Sequence, residues 1–314
     1  MPQIKPADFS TEPMPAQEVT ARRGDLLGQG GQARVYRDKL DPRVALKLYN
    51  DARSLADLIR VKALIRMCSG LDNRLENRVF LDSLNLPIRP LLDRAGDFRG
   101  VALPIWPDET LGIRFEWRDG KPRRTSRKAP FEAQHLMIPQ SYFGPVDRQR
   151  QFGFLVEFAK TIRIMHGAGL AHGDLSSSNV LVRRLIKPGL SGEGAYLIDL
   201  DEAFPQGIHA VRAYRRSRKF YDPYTVADQR VDVHTDVFML ALWTTSFILW
   251  DMLDGEKVAK RFPDEAARQL KKAAGNDGFK VVRAALGRIG GRPPLRDLQA
   301  VITHIHSQLP STPG

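Results

Sequence analysis

Residues 172–179 constrain the fold most strongly, because they place polar groups on a short loop between two apolar elements. Residues 148–166 repeat apolar side chains at helical spacing, and residues 180–182 have the composition of a buried strand. The carboxylate of Asp174 and the carboxamide of Asn179 therefore lie on one loop, which a helix precedes and a strand follows.

This arrangement indicates phosphoryl transfer. Such chemistry needs one carboxylate to orient the attacking hydroxyl, and an amide oxygen plus a second carboxylate to hold magnesium. We predict Asp174 as the catalytic group, and Asn179 and Asp199 as metal ligands. Asp199 ends another apolar run, and Asp201 is the fallback for it. His172 is predicted to be a packed structural histidine.

A glycine-rich turn lies upstream, in residues 28–35, between two predicted strands. Glycines there let backbone N–H groups approach phosphates without side-chain obstruction. Val35 is placed to cover an adenine ring. An ordinary hairpin turn would give the same local pattern, so this turn alone is weak evidence.

Lys47 stands inside the apolar stretch of residues 43–48. A lysine in such a strand is costly to bury unless it is paired, and phosphate binding would explain it. The alternative is a lysine on the solvent face of an edge strand. The glycine-rich turn favours phosphate binding.

These motifs, in this order, resemble those of the protein-kinase-like fold, and of divergent bacterial Ser/Thr protein kinases in particular. The resemblance is carried by the glycine-rich loop, the lysine strand, the catalytic loop, the metal-binding aspartate and the helix after the activation segment, which are residues 28–35, 44–47, 172–179, 198–201 and 235–241. In that family the helix aspartate, here Asp236, braces the catalytic loop backbone.

The resemblance implies an α+β, bilobal fold, with a small antiparallel-sheet lobe followed by a larger, mainly helical lobe. We expect a flexible leader (1–20), an N-lobe (21–106), a C-lobe (107–309) and a frayed tail (310–314). It also implies ATP and Mg²⁺ as cofactors, with Mn²⁺ as an alternative ion.

The interlobe hinge is predicted after the strand that ends at Leu103. The Pro104 carbonyl would accept a hydrogen bond from the adenine amine, and the Trp106 N–H would donate to the ring. The complete set of predicted nucleotide-binding residues is Gly28, Gln29, Gly30, Gly31, Gln32, Ala33, Val35, Ala45, Lys47, Leu103, Pro104 and Trp106.

Departures from the kinase pattern qualify the resemblance. Gly173 replaces the arginine that couples activity to loop phosphorylation, and Ser176 replaces a lysine that neutralises the transferring phosphoryl group. The helix glutamate that should pair with Lys47 is not evident, so Asp57 and Glu76 both remain open. Residues 219–224 keep the proline of the usual Ala-Pro-Glu motif but lose its glutamate.

The preferred function is therefore a protein Ser/Thr kinase. The alternatives are a small-molecule phosphotransferase of the aminoglycoside- or choline-kinase type and a nucleotide-binding pseudokinase module. A basic stretch at residues 212–219 favours acidic protein substrates, or else it is a solvated activation segment. A second basic run, residues 118–128, is predicted to be a structureless solvated insertion, or else a docking surface for acidic partners.

Composition agrees with an anionic partner, because the 314 residues carry a formal net charge of +12. No zinc-ligand spacing or recognition-helix signature supports nucleic acid as that partner. A single cysteine, Cys68, excludes an intrachain disulfide and favours a cytoplasmic location. The longest apolar run, residues 237–250, is too short for a membrane span and is predicted to be a buried helix.

Overall fold

A computed structural model of the chain describes residues 4–71, 79, 81–106, 111–118, 121–130, 136, 147–176, 178–187, 190–205, 221–228 and 231–310. The chain divides into two compact units, residues 1–107 with 197–210, and residues 108–196 with 211–314. The predicted second lobe included residues 197–210, but these cluster with the first unit. The predicted frayed tail lies outside the described residues except for Pro310.

The first unit is built on an antiparallel sheet, in which the described residues form five strands in the order β1-β2-β3-β5-β4. Its strands are β1 (Arg23–Gln29), β2 (Ala33–Asp38), β3 (Val44–Tyr49), β4 (Arg89–Leu92) and β5 (Phe98–Pro104). The sequence predicts three short strands between residues 21 and 48 and, from its apolar stretches on either side of a polar turn, a hairpin over residues 87–106. Both predictions are confirmed, and the α+β class with them.

Close approach of β5 to β3 depends on Gly100, which pairs with Leu48. A Cβ atom at this position would collide with the Lys47 carbonyl oxygen, so only glycine fits without moving a strand. The strand that carries Lys47 is thereby held in the middle of the sheet.

Helix α2 (Leu55–Ser69) follows the sheet's first three strands. Ser54 caps it, accepting from the Asp57 N–H, and the Asp57 carboxylate accepts in return from the Ser54 N–H. The helical spacing of apolar residues in 54–67, with Ser54 at the start, predicts this helix and its cap, and both are confirmed. Its inward face buries Cys68, and burial raises the pKa of that thiol to about 12.

The prediction of a flexible leader is wrong for the described residues 4–20. Phe9, Met14 and Val19 are buried, and the backbone of Met14 pairs with β4, donating to the Pro90 carbonyl at 2.8 Å. Helix α1 (Ala16–Arg22) then leads into β1. These apolar residues are widely spaced in a polar segment, so the composition concealed a stretch that covers the edge of the sheet.

The second unit is mainly helical. Its helices are α3 (Arg148–Gly167), α4 (Pro223–Asp228), α5 (Val233–Leu249), α6 (Gly255–Lys260), α7 (Asp264–Ala285) and α8 (Leu295–Ser307). The predicted helix of residues 148–166 is confirmed as α3. Helix α7 is kinked at Gly275, where φ is 71°. The remaining strands are β6 (Leu111–Arg118), β7 (Lys121–Pro130), β8 (Leu170–Ala171), β9 (Val180–Lys187), β10 (Leu190–Leu197) and β11 (Phe204–Pro205), of which β11 belongs to the first unit.

Helix α5 is the centre of this unit, and nearly all of its side chains are buried. Trp243 and Phe247 on α5 pack edge-on with ring centroids 5.6 Å apart, and Phe158 on α3 lies 6.5 Å from Trp243. The predicted buried helix is confirmed. Among the described residues, no helix is long and apolar enough to cross a membrane.

The prediction that residues 118–128 are structureless is wrong. The backbone of β6 and β7 forms an antiparallel hairpin, in which Arg118 faces Lys121 and Glu116 faces Arg123. Residues 111–118 alternate apolar with small or charged side chains, which is typical of a strand. The basic composition of the following residues masked this period-two signal.

Candidate functional site

The glycine-rich turn between β1 and β2 leaves open space where side chains would otherwise stand. A Cβ atom added at Gly28 or Gly31 would meet no atom within 4 Å, and one at Gly30 would approach the Ala33 carbonyl oxygen at 3.9 Å. None of these three glycines has a left-handed φ. The chain's own packing therefore does not demand glycine here, whereas close approach of an external group would.

The register of the sheet places several of the predicted nucleotide-binding residues on one face. Val35 pairs with Lys47 across β2 and β3, and Ala45 pairs with Leu103 across β3 and β5. Because directly paired residues and residues two apart share a face, these side chains and that of Ala33 stand on the same side of the sheet.

Lys47 meets two carboxylates of the same unit. Its Nζ donates to Asp199 Oδ1 at 3.0 Å, and to both oxygens of Asp201 at 2.9 and 3.0 Å. Tyr49, two residues along β3, donates its hydroxyl hydrogen to Asp201 Oδ2. A lysine, a tyrosine and two aspartates from distant parts of the sequence thus form one cluster, here called the lysine cluster.

The two aspartates of the lysine cluster differ in exposure. The Asp201 side chain is 0% exposed and that of Asp199 is 48% exposed. Burial opposes ionisation of Asp201, but the Lys47 charge and the Tyr49 hydrogen bond outweigh it, so the pKa of Asp201 lies below its ordinary value. Asp201, predicted as a fallback metal ligand, is therefore enclosed, whereas Asp199 faces outward.

The backbone of Asp199 is also unusual. Its φ of 62° and ψ of 30° lie in the left-handed region, which within the described chain only Asp199 and Trp250 occupy among non-glycine residues. Such a conformation costs energy and is concentrated at functional positions. In this conformation the carboxylate of Asp199 reaches the same Lys47 ammonium as that of Asp201, two residues later.

Asp57, one of the two predicted partners of Lys47, has other contacts. It closes the capping box with Ser54 and forms an ion pair with Arg60 at 2.9 Å. Lys47 contacts the carboxylates of Asp199 and Asp201. Glu76, the other predicted partner, lies outside the described residues.

The predicted hinge carbonyl is already bonded. Asn85, a buried residue, donates its side-chain amide to the Pro104 carbonyl oxygen at 2.6 Å and its backbone N–H to the Leu197 carbonyl at 2.8 Å. An adenine amine could reach the Pro104 oxygen only through its second lone pair. Trp106, the predicted donor, is half-buried.

In the second unit, the loop that carries Asp174 is held by a buried carboxylate. Asp236 on α5 is 0% exposed and accepts from the backbone N–H groups of His172 (2.9 Å) and Gly173 (2.8 Å). His166 contacts the same carboxylate at 2.9 Å. The predicted bracing by Asp236 is confirmed. Gly173 has a φ of 79°, which favours glycine and gives a backbone reason for the absence of arginine there.

Asn179 is fixed by the loop itself. Its Nδ2 donates to the Asp174 carbonyl oxygen at 3.0 Å, and its backbone N–H donates to the Ser176 carbonyl at 3.0 Å. The indole of Trp243 donates to the Leu175 carbonyl at 2.9 Å. These bonds fix the backbone around the carboxylate of Asp174. His172, predicted to be structural, is buried, and its Nδ1 accepts from the Asp174 N–H.

A second buried charge cluster of this unit involves Asp222, the residue before Pro223. Arg292 donates to both of its carboxylate oxygens, at 2.6 and 3.0 Å, and both side chains are 0% exposed. The expected glutamate after the proline is missing, and a carboxylate before the proline binds an arginine instead. The basic residues 212–219 lie outside the described residues.

Sequence reasoning missed Tyr49, Asn85 and the partner of Asp222. For Tyr49 a signal existed, because it follows Lys47 by two residues and therefore shares its face of β3. Nothing local marks Arg292, which lies 70 residues from Asp222.

Mg²⁺ prefers carboxylate and carbonyl oxygens and keeps several water or phosphate ligands, so one or two protein groups suffice. Asp199 offers a half-exposed carboxylate in the first unit and Asn179 an amide oxygen in the second. Within the described residues, no group of three or more His, Cys, Asp or Glu side chains could hold a metal by itself. The chain matches no protein-family model and no curated protein sequence.

Proposed function

We propose that the chain is an ATP-dependent phosphotransferase, and specifically a protein Ser/Thr kinase that transfers the γ-phosphoryl group of Mg-ATP to a protein hydroxyl. The observation that carries the proposal is the 3.0 Å contact between Lys47 Nζ and Asp199 Oδ1. The sequence singled out these two residues independently, as the phosphate ligand and the metal ligand, and they lie 152 positions apart.

The sheet face supports nucleotide binding by the same unit. A Cβ atom would meet no neighbour at Gly28 or Gly31, and Val35, which pairs with Gly28, also pairs with Lys47. The Gly30 N–H is already bonded to the Ala33 carbonyl oxygen at 2.9 Å, so the groups offered to phosphates are the rest of the open turn and the Lys47 ammonium. When bound, magnesium would neutralise charge on the phosphates, and Asp199 is the carboxylate exposed enough to hold it.

The second unit contributes the acceptor chemistry. Asp174 would orient the attacking hydroxyl and take its proton as the oxygen bonds to the γ-phosphorus and the bond to the β-phosphate bridging oxygen breaks. Bracing by Asp236 keeps the loop backbone in one geometry for this role.

The test is transfer from γ-labelled ATP with Mg²⁺ to the chain itself, to an acidic and a basic acceptor protein, and to an aminoglycoside and a small alcohol. The natural chain is compared with Asp174→Asn, and with Asp251→Asn as the matched control, because Asp251 is an exposed aspartate of the same unit. We expect Asp174→Asn to lower transfer at least about 100-fold. Asp251→Asn should leave it unchanged.

Equal transfer by the natural chain and Asp174→Asn would refute the catalytic assignment. Transfer confined to the aminoglycoside or alcohol would favour the small-molecule phosphotransferase. Nucleotide binding without transfer to any acceptor would favour the pseudokinase module.

A further inference from the structure

We propose that Asp201 is the positioning residue that holds Lys47 in place for phosphate binding, a role that a helix glutamate has in protein kinases. The inference rests on the proposed function and assigns a regulatory property to the same site. It separates the two carboxylates of the lysine cluster into an enclosed anchor, Asp201, and an outward metal ligand, Asp199.

The contacts of Lys47 with the two aspartates are unequal. Asp201 uses both carboxylate oxygens on Nζ, whereas the described contact of Asp199 uses Oδ1 alone. Asp201 is 0% exposed and receives a further hydrogen bond from Tyr49, which is itself buried against Phe98 with ring centroids 5.8 Å apart. A carboxylate enclosed in this way is suited to holding a cation and is closed to an incoming metal ion.

Helix α2 supplies a charge of the opposite sign from a helix glutamate. Its own carboxylate, Asp57, is committed to the helix cap and to Arg60. Arg60 is buried, and its Nη2 makes a long hydrogen bond, 3.4 Å, to the backbone carbonyl oxygen of Asp201. The helix thus supports the backbone of the anchor with a cation, and the carboxylate that Lys47 needs comes from the segment after β10.

This arrangement has a consequence for control. In protein kinases the lysine–glutamate pair must be assembled by movement of a helix, and regulation acts on that step. Here the anchor stands two residues from Asp199, so the lysine and the metal ligand are held by one short segment. We therefore expect this segment to hold Lys47 before any nucleotide binds.

A test that needs no nucleotide is the rate at which an amine-acylating reagent modifies Lys47, followed by residue-resolved mass spectrometry. The natural chain is compared with Asp201→Asn, Asp199→Asn and Glu76→Gln. Asp201→Asn replaces the charged acceptor that holds Nζ in the lysine cluster, so the Lys47 side chain should leave the cluster more often and be labelled at least about tenfold faster. Asp199→Asn should accelerate labelling less, and Glu76→Gln should not change it.

Labelling of Lys62, on α2, reports whether a variant has simply unfolded. If Asp201→Asn fails to fold, Tyr49→Phe carries the test, because it removes one hydrogen bond from the anchor and keeps the ring; Lys47 labelling should then rise about threefold. The proposal is overturned if a folded Asp201→Asn or Tyr49→Phe labels at the natural rate. It is also overturned if Glu76→Gln has a larger effect than Asp201→Asn.

Binding of Mg-ADP by the same proteins separates this inference from the proposed function. Asp201→Asn should weaken binding in the natural background but not in Lys47→Met, because the anchor acts through the lysine. Faster Lys47 labelling in a chain that neither binds ADP nor transfers phosphate would leave the anchor standing and refute the function. Normal transfer by Asp201→Asn, with unchanged labelling of Lys47, would refute the anchor and leave the proposed function standing.

Discussion

The two units each bury a cation–carboxylate pair, and the pairs are built differently. In the second unit, Arg292 binds both oxygens of Asp222 and also donates to the carbonyls of His234 (2.7 Å) and Gly287 (2.8 Å). Both charged side chains are 0% exposed. In the first unit, Lys47 is 11% exposed and is shared between the enclosed Asp201 and the outward Asp199.

The difference distinguishes a pair that maintains structure from one suited to chemistry. Arginine presents several donors in a fixed plane, and those of Arg292 are bonded to Asp222 and to backbone carbonyls. Lysine is a compact charge on a flexible stem, and under the proposed function Lys47 would exchange Asp199 for a phosphate oxygen while Asp201 keeps its position. Three substitutions test this contrast.

The largest effect is expected from Arg292→Met. It leaves the Asp222 carboxylate buried without its arginine, which should lower the free energy of unfolding by about 3–5 kcal/mol. Urea unfolding measures the loss, and hydrogen exchange of α5 assigns it to the second unit. The control, Arg261→Met, removes an exposed pair with Asp264 and should cost under about 1 kcal/mol. Similar losses in both variants would remove the basis for calling Arg292 structural.

An intermediate effect is expected from Tyr49→Phe, which removes one hydrogen bond to the ionised Asp201 and should cost about 1.5–3 kcal/mol near neutral pH. The pKa of Asp201 is depressed in the folded chain, so its ionised form stabilises the fold above the ordinary carboxyl range, and this is lost as pH falls through the folded pKa. Urea unfolding should therefore show the deficit of Tyr49→Phe shrinking below the ordinary value of 3.8.

A matched control in the other unit is Thr225→Val, because the Thr225 hydroxyl donates to Asp222 Oδ2 at 2.8 Å. Both variants should lose stability. Only Tyr49→Phe should also weaken Mg-ADP binding, because Tyr49 bonds to Asp201, which holds Lys47, whereas Thr225 bonds to Asp222. A deficit of Tyr49→Phe that is constant from neutral to acid pH would contradict the ionised state of Asp201.

The smallest effect on stability is expected from Asp199→Asn. Asp199 is half exposed, so loss of its charge should change the free energy of unfolding by under about 1 kcal/mol. Asparagine also tolerates the left-handed backbone found there. Phosphoryl transfer should nevertheless fall at least about 100-fold if Asp199 holds the metal. A stability loss equal to that of Tyr49→Phe, with transfer intact, would make Asp199 a second structural carboxylate.

Local patterns allowed prediction of the elements that carry the proposed site. The apolar run around Lys47, the helical spacing of residues 148–166 and the composition after Asn179 each report on structure within a few residues, and the structure has these elements. Asp236 could be assigned to the loop because it stands at the position of the helix aspartate in the family that the chain resembles.

Contacts between distant residues could not be obtained in this way. Lys47 and Asp201 are 154 positions apart. Asp57 and Glu76 lie much nearer to Lys47 in the sequence, so they were the predicted partners. Pairing depends on which side chains the packed fold encloses, and local spacing does not contain that information. The leader prediction failed for a related reason, because the backbone of Met14 pairs with β4, which lies far along the chain.

Cys68 has a practical consequence for labelling the chain at a chosen site. It is the only cysteine of the chain, it is 0% exposed, and burial raises the pKa of its thiol to about 12. A shielded, protonated thiol reacts slowly with maleimide dyes at neutral pH. The natural chain is thus a silent background for fluorescent labelling. A dye on Leu40→Cys, at a 74% exposed position between β2 and β3, would label the first unit at one site while the described contacts of the lysine cluster are kept.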